Sequence, residues 1–102
     1  MREKLNRVIP LYWLGMNWND AAEDLLQSIL SRTPRPIRDQ TEEALRAGCA
    51  AYAEENGLNR IGVNTVVAAW VRNTSETLRA ELPRQMEQLG LDPSEYEELL
   101  GG

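Results

Sequence analysis

The chain reads as an all-α fold: a small bundle of three main helices, with short helices after it and an extended arm before it. Three observations predict this. Apolar residues recur at three- and four-residue steps, the period of one helix face. The alternation expected of a half-buried strand is nearly absent. Prolines and an Asn-Gly pair fall where helices would start and stop, at Pro34, Pro36, Asn56-Gly57, Pro83 and Pro93. The 102 residues suffice for one domain with a single modest core. They divide into an arm over 1–17, a three-helix unit over 18–82 and a C-terminal extension over 83–102.

The arm, "MREKLNRVIPLYWLGMN", places Arg2, Lys4 and Arg7 ahead of an apolar run that Pro10 breaks. The run is far too short to span a bilayer and lacks the small-residue cleavage site of a signal peptide. It is expected to lay Leu11, Trp13 and Leu14 on this domain or on a partner. Tyr12 and Trp13 also suit a headgroup boundary, so peripheral membrane contact is the alternative.

The first helix should open at Asn19 or Asp20, where Asp20 and Glu23 have capping-box spacing. Ala22, Leu25, Leu26, Ile29 and Leu30 form its buried stripe. It should end near Arg32, because Pro34 and Pro36 disfavour helix upstream of themselves. The second helix is predicted from Pro36, a good first helical residue, to the Asn56-Gly57 stop. Ile37, Thr41, Ala44, Leu45, Gly48, Cys49, Tyr52 and Ala53 make one face, small enough around Ala44, Gly48 and Cys49 for close helix approach. "LNRIG" is then a short extended link with Leu58 and Ile61 inward.

A third helix follows from Val63 or Asn64, with Val63, Val66, Val67, Trp70, Thr74 and Leu78 as its stripe. Pro83 should end or kink it near Leu82. Arg84 to Leu89 reads as a turn or two of helix closed by Gly90. Asp92-Pro93-Ser94-Glu95 has the cap, proline and glutamate that open a last helix carrying Tyr96, Leu99 and Leu100. No internal repeat stands out.

Composition narrows the chemistry. There is no histidine and one cysteine, so the commonest general base and the usual transition-metal ligand sets are missing. Cys49 lies on an apolar face without a base to activate it, and is expected to be a buried structural thiol. The adjacent pairs Glu42-Glu43, Glu54-Glu55 and Glu97-Glu98 splay around their helices instead of converging. No glycine-rich phosphate loop is present. Catalysis by this chain alone is not expected, and no cofactor or metal is assigned. The net charge of −5 argues against general affinity for nucleic acid or anionic membranes.

One stretch runs against that charge. "SRTPRPIRDQ" places Arg32, Arg35 and Arg38 around two prolines. The prolines stop one helix and start the next. Arg32 should favour the first helix's C-terminal dipole and Arg38 should pair with Glu42 one turn on. Arg35 is left without a structural duty. Arg35, Arg38 and Arg60, with Tyr12 and Trp13 of the arm, are therefore the candidate partner-binding residues.

The run Tyr52-Ala53-Glu54-Glu55-Asn56-Gly57-Leu58-Asn59-Arg60-Ile61, continued to Val66 and Ala69, resembles a known family. That family is the small helical domain at the C-terminus of the B subunit of light-independent protochlorophyllide reductase, which also occurs as stand-alone proteins. Trp18, Ala22 and Leu26 match its opening, and Pro34, Ile37 and Arg38 are similar to its proline–apolar–arginine turn. The likeness covers Trp18 to Ala69, and Gly62 stands where the family usually has a hydroxyl residue. It implies a non-catalytic accessory subunit bound to a larger protein complex, and the sequence leaves monomer and homodimer both open. That complex would be connected with photosynthesis or (bacterio)chlorophyll biosynthesis, in the cytoplasm or at a photosynthetic membrane. A weaker resemblance, to a histone fold, implies instead a dimer that binds nucleic acid through "RTPRPIR" and "LNRIG".

Overall fold

A computed structural model describes residues 17–101. The described chain is all-α apart from one short strand pairing. Strand β1 (Asn17–Trp18) leads into helix α1 (Asp20–Ser31), then α2 (Arg35–Glu55), strand β2 (Arg60–Ile61) and α3 (Val63–Asn73). A 3-10 turn (Glu76–Glu81), helix α4 (Leu82–Gln88) and a second 3-10 turn (Pro93–Tyr96) complete it.

All five apolar residues expected on α1 are buried: Ala22, Leu25, Leu26, Ile29 and Leu30. The cap is Asn19, but no side chain closes it, so the Asp20–Glu23 capping box is not formed. The Glu23 carboxylate instead takes two hydrogen bonds from Arg46 on α2. The Asn19 N–H donates to the Ile61 carbonyl at 2.9 Å, tying the start of α1 to β2. β1 and β2 run parallel, Asn17 beside Arg60 and Trp18 beside Ile61. Sequence patterning did not anticipate this bridge, since two residues are too few to show a period.

Helix α2 starts one residue before the expected Pro36 and ends where Asn56-Gly57 predicts. Gly57 takes φ +68°, the left-handed conformation glycine adopts at least cost. Leu58 N–H then reaches the Ala53 carbonyl at 2.8 Å and Gly57 N–H the Glu54 carbonyl at 3.3 Å, a Schellman closure. That closure holds Leu58 at the helix end, 41% exposed, and corrects its expected inward placement, whereas Ile61 is fully buried. Leu45, Cys49, Ala50 and Ala53 are buried on α2. Ile37 and Ala44 are exposed, contrary to the predicted face. The 21 residues of α2 extend roughly 30 Å, and the 11 of α3 can cover only about half of that.

Helix α3 is the centre of the molecule, with every residue from Thr65 to Val71 buried. A Cβ on Gly48 would lie 3.2 Å from the Ala69 Cβ, so glycine there permits the close approach of α2 and α3. The expected run of α3 to Leu82 is corrected: it stops at Asn73, because Thr74 turns to extended backbone (φ −97°, ψ 130°). Leu78 consequently leaves the predicted stripe and is 58% exposed. Pro83 does not end a helix but lies in the first turn of α4, where its missing N–H costs no intrahelical bond. Gly90 closes α4 at φ +85°, as expected.

Asp92 caps the last turn, its Oδ1 accepting from Ser94 N–H at 3.0 Å, but only one 3-10 turn follows. Leu82, Met86 and Tyr96 belong to the same core cluster as α1, α2 and α3. The C-terminal segment is thus built into the core.

Candidate protein-interaction surface

The turn from α1 to α2 is held by side chains that bond back to the helix it leaves. Thr33 Oγ1 donates to the Ile29 carbonyl at 2.9 Å. Arg38 donates through Nε and Nη2 to the Thr33 carbonyl, at 3.3 and 2.9 Å. The expected Arg38–Glu42 pairing is therefore corrected. The Thr33 carbonyl in the turn takes the guanidinium, and Glu42 accepts from Arg46 Nε at 3.0 Å instead.

The turn leaving α3 repeats this construction. Thr74 Oγ1 donates to the Trp70 carbonyl at 2.8 Å, and Arg79 Nε donates to the Thr74 carbonyl at 3.1 Å. In both turns the threonine bonds four residues back and the arginine five residues on bonds the threonine. The signal was present in the sequence as Thr33-x-x-x-Ile37-Arg38 and Thr74-x-x-x-Leu78-Arg79. It is too short to register as an internal repeat.

The residue before each arginine points outward. Ile37 is 46% and Leu78 58% exposed, and the two line one open groove of about 440 Å³. Thr33, Asn73, Ser75, Glu81, Leu82 and Gln85 also line it. Two of the three large exposed apolar side chains among the described residues thus share one depression.

Arg35 stands two residues before Ile37, as the first residue of α2. It is exposed and has no hydrogen-bond or ion-pair partner among the described residues. A positive charge at a helix N-terminus opposes the macrodipole, at a cost of about 0.3–1 kcal/mol. Arg35 therefore contributes nothing evident to folding where it stands. Arg60 is also exposed, but it lies beyond the other end of α2, roughly 30 Å along the helix from Arg35. A single copy does not bring Arg35 and Arg38 together with Arg60. Tyr12 and Trp13 lie outside the described residues.

Other chemistry-bearing groups are engaged within the fold. Cys49 is fully buried, its Sγ 3.8 Å from the Thr65 carbonyl, and burial pushes its thiol up to about 12. Arg46 joins three elements: it bonds Glu23 at 2.8 and 3.2 Å and Glu42 at 3.0 Å, and lies 4.8 Å from the Trp18 ring centroid. Hydrogen bonding from Arg46 holds the Glu23 carboxyl below its ordinary value. On Arg46, burial favours the neutral form, but the bonds to Glu23 and Glu42 outweigh it and raise the guanidinium.

A second depression, about 380 Å³, lies between the start of α3 and the C-terminal turn. Tyr96 donates its hydroxyl to Asn64 Oδ1 at 2.9 Å on its wall, and Glu95, Glu97 and Glu98 around it are exposed. Burial raises the Tyr96 phenol, helped by the charges of Glu95 and Asp92. No group of three or more metal-ligating side chains converges among the described residues. None of the described helices is long and apolar enough to cross a membrane. No protein-family model, no curated protein and no solved structure matches the chain.

Proposed function

We propose that the chain is a non-catalytic protein-interaction module, an accessory subunit of a larger assembly. The observation that carries this reading is the groove shared by Ile37 and Leu78, two large apolar side chains left exposed by the fold. Apolar side chains grouped in a concave place with a polar rim are what a protein partner can desolvate. The resemblance of Trp18 to Ala69 to the protochlorophyllide reductase domain supports placing that assembly near photosynthesis or (bacterio)chlorophyll synthesis. Affinity purification of the native protein tests it. Nuclease-resistant recovery of a photosynthetic or reductase component, lost on Leu78→Asp, is the expected result. Recovery of nucleic acid alone would overturn it.

A second reading keeps one specific observation. Helices of 12, 21 and 11 residues give a short–long–short order, as in a histone fold; Arg35 opens the long helix and Arg60 lies in the link after it. On that reading a dimer binds nucleic acid. Its mark would be DNA affinity that falls steeply with salt and is lost on Arg35→Ala with Arg60→Ala.

A further inference from the structure

The depression between the start of α3 and the C-terminal turn carries charge of one sign. Glu95, Glu97 and Glu98 all line it, and no lysine or arginine does. None of the three carboxylates has an ion-pair partner among the described residues. Nothing local stabilises their grouping: the 3-10 turn they belong to or follow has four residues, too few to build a macrodipole that favours acids. Like charges held this close repel one another, and a cation from outside relieves that repulsion.

The walls suit the stem of such a cation. Tyr52, Tyr96 and Leu99 also line the depression, and the methylenes of lysine or arginine pack well on aromatic and aliphatic surface. The Tyr52 ring already carries a guanidinium, that of Arg72, 5.0 Å from its centroid. Tyr96 is fixed by its hydroxyl bond to Asn64 Oδ1 at 2.9 Å. The charge of Glu95 is felt at that phenol, which it helps to raise.

Two observations narrow the kind of cation. The carboxylates do not converge as a metal-ligating group, so a point charge such as a divalent ion does not match them. Asn64, which lines the depression, makes no hydrogen bond through Nδ2 among the described residues. That N–H group calls for an acceptor, which a peptide carbonyl supplies and a polyamine does not.

We infer that this depression docks an extended basic segment of a protein partner. Its lysine or arginine stems lie on Tyr52, Tyr96 and Leu99, and their charged ends meet Glu95, Glu97 and Glu98. A backbone carbonyl of the segment accepts from Asn64. This deepens the interaction-module reading and rests on it, by giving the partner a chemistry that the apolar groove leaves open.

A peptide alternating lysine and alanine, titrated into the full chain and followed by amide NMR, tests it. Saturable shifts of Asn64 and Ser94 are expected, with a Kd on the order of 0.1–1 mM at low salt, weakening as salt rises. Replacing all three acids (Glu95→Gln, Glu97→Gln, Glu98→Gln) should weaken binding about tenfold or more. Asp39→Asn with Glu76→Gln and Glu87→Gln removes the same charge from exposed positions elsewhere, and should weaken it less than about threefold. All six positions are exposed, and unchanged circular dichroism would show that both variants fold. Equal losses in the two variants would reduce the effect to net charge and overturn the proposal, as would the lack of saturable shifts. Spermidine that binds as tightly as the peptide would also overturn it, by making the ligand a small polyamine. Asn64 and Ser94 signals that move with protein concentration instead would identify a second copy as the occupant, again against the proposal. Leu78→Asp should leave peptide binding unchanged, so failure here and failure of the Ile37–Leu78 groove to recover an assembly are separate results.

Discussion

Arg46 shows how one side chain can connect parts of the chain that its sequence neighbours do not reveal. Its bond to Glu42 is an ordinary i,i+4 pair, legible from spacing. Its bonds to Glu23 cross from α2 to α1, and its face contact with Trp18 reaches the residue before α1. The Arg46 and Glu23 side chains are 25% and 38% exposed, so solvent screening limits the pair to about 1 kcal/mol. Arg46→Ala should lower stability by about 1–2 kcal/mol in urea denaturation, cation–π contact included. The pH dependence has a definite sign. Because Glu23 is held below its usual 4.5, its contribution is present above that value and is lost as pH falls through the lowered one. Glu23→Gln should therefore destabilise at pH 7 and flatten the loss of stability on acidification. Cys49 gives a simpler expectation. With its thiol raised to about 12 and fully buried, it should react with a thiol reagent at pH 8 only as fast as the fold opens. Denaturant should restore rapid labelling.

At the scale of elements, the close packing of α2 on α3 is set by a pair of small residues. Gly48 was read from sequence as a point of close approach, and it meets Ala69. Gly48→Leu should force the helices apart and cost about 1–3 kcal/mol or more, a shift readable in the thermal midpoint. Helix starts and stops were legible where the backbone preference of one glycine or proline sets them. Gly57 and Gly90 close α2 and α4 with positive φ, and Pro36 stands in the first turn of α2. The end of α3 was not legible. Thr74 and Leu78 continue the apolar spacing of the helix, and Pro83 is the only strong stop in view. What ends α3 is the Thr74 hydroxyl on the Trp70 carbonyl together with Arg79 on Thr74, a turn stabilised by side chains of otherwise helix-tolerant type.

At the scale of the whole fold, the described residues share one core to which the C-terminal segment contributes. Tyr96 is buried and its hydroxyl reaches Asn64 at the first turn of α3, 32 residues earlier. Tyr96→Phe keeps the ring and removes that bond. It should cost about 0.5–1.5 kcal/mol and shift the single unfolding transition without splitting it. The sequence by itself determined the helical class, the order of the three main helices, the Asn56-Gly57 stop of α2 and the buried stripe of α1, because those depend on local period and terminal chemistry. Only the tertiary structure decided that Glu23 serves Arg46 instead of a capping box, that Leu78 faces solvent, and that two distant turns share a groove. Each of these is a contact between residues far apart in the chain. Its energy appears only after folding has brought them together, so no window of neighbouring residues contains it.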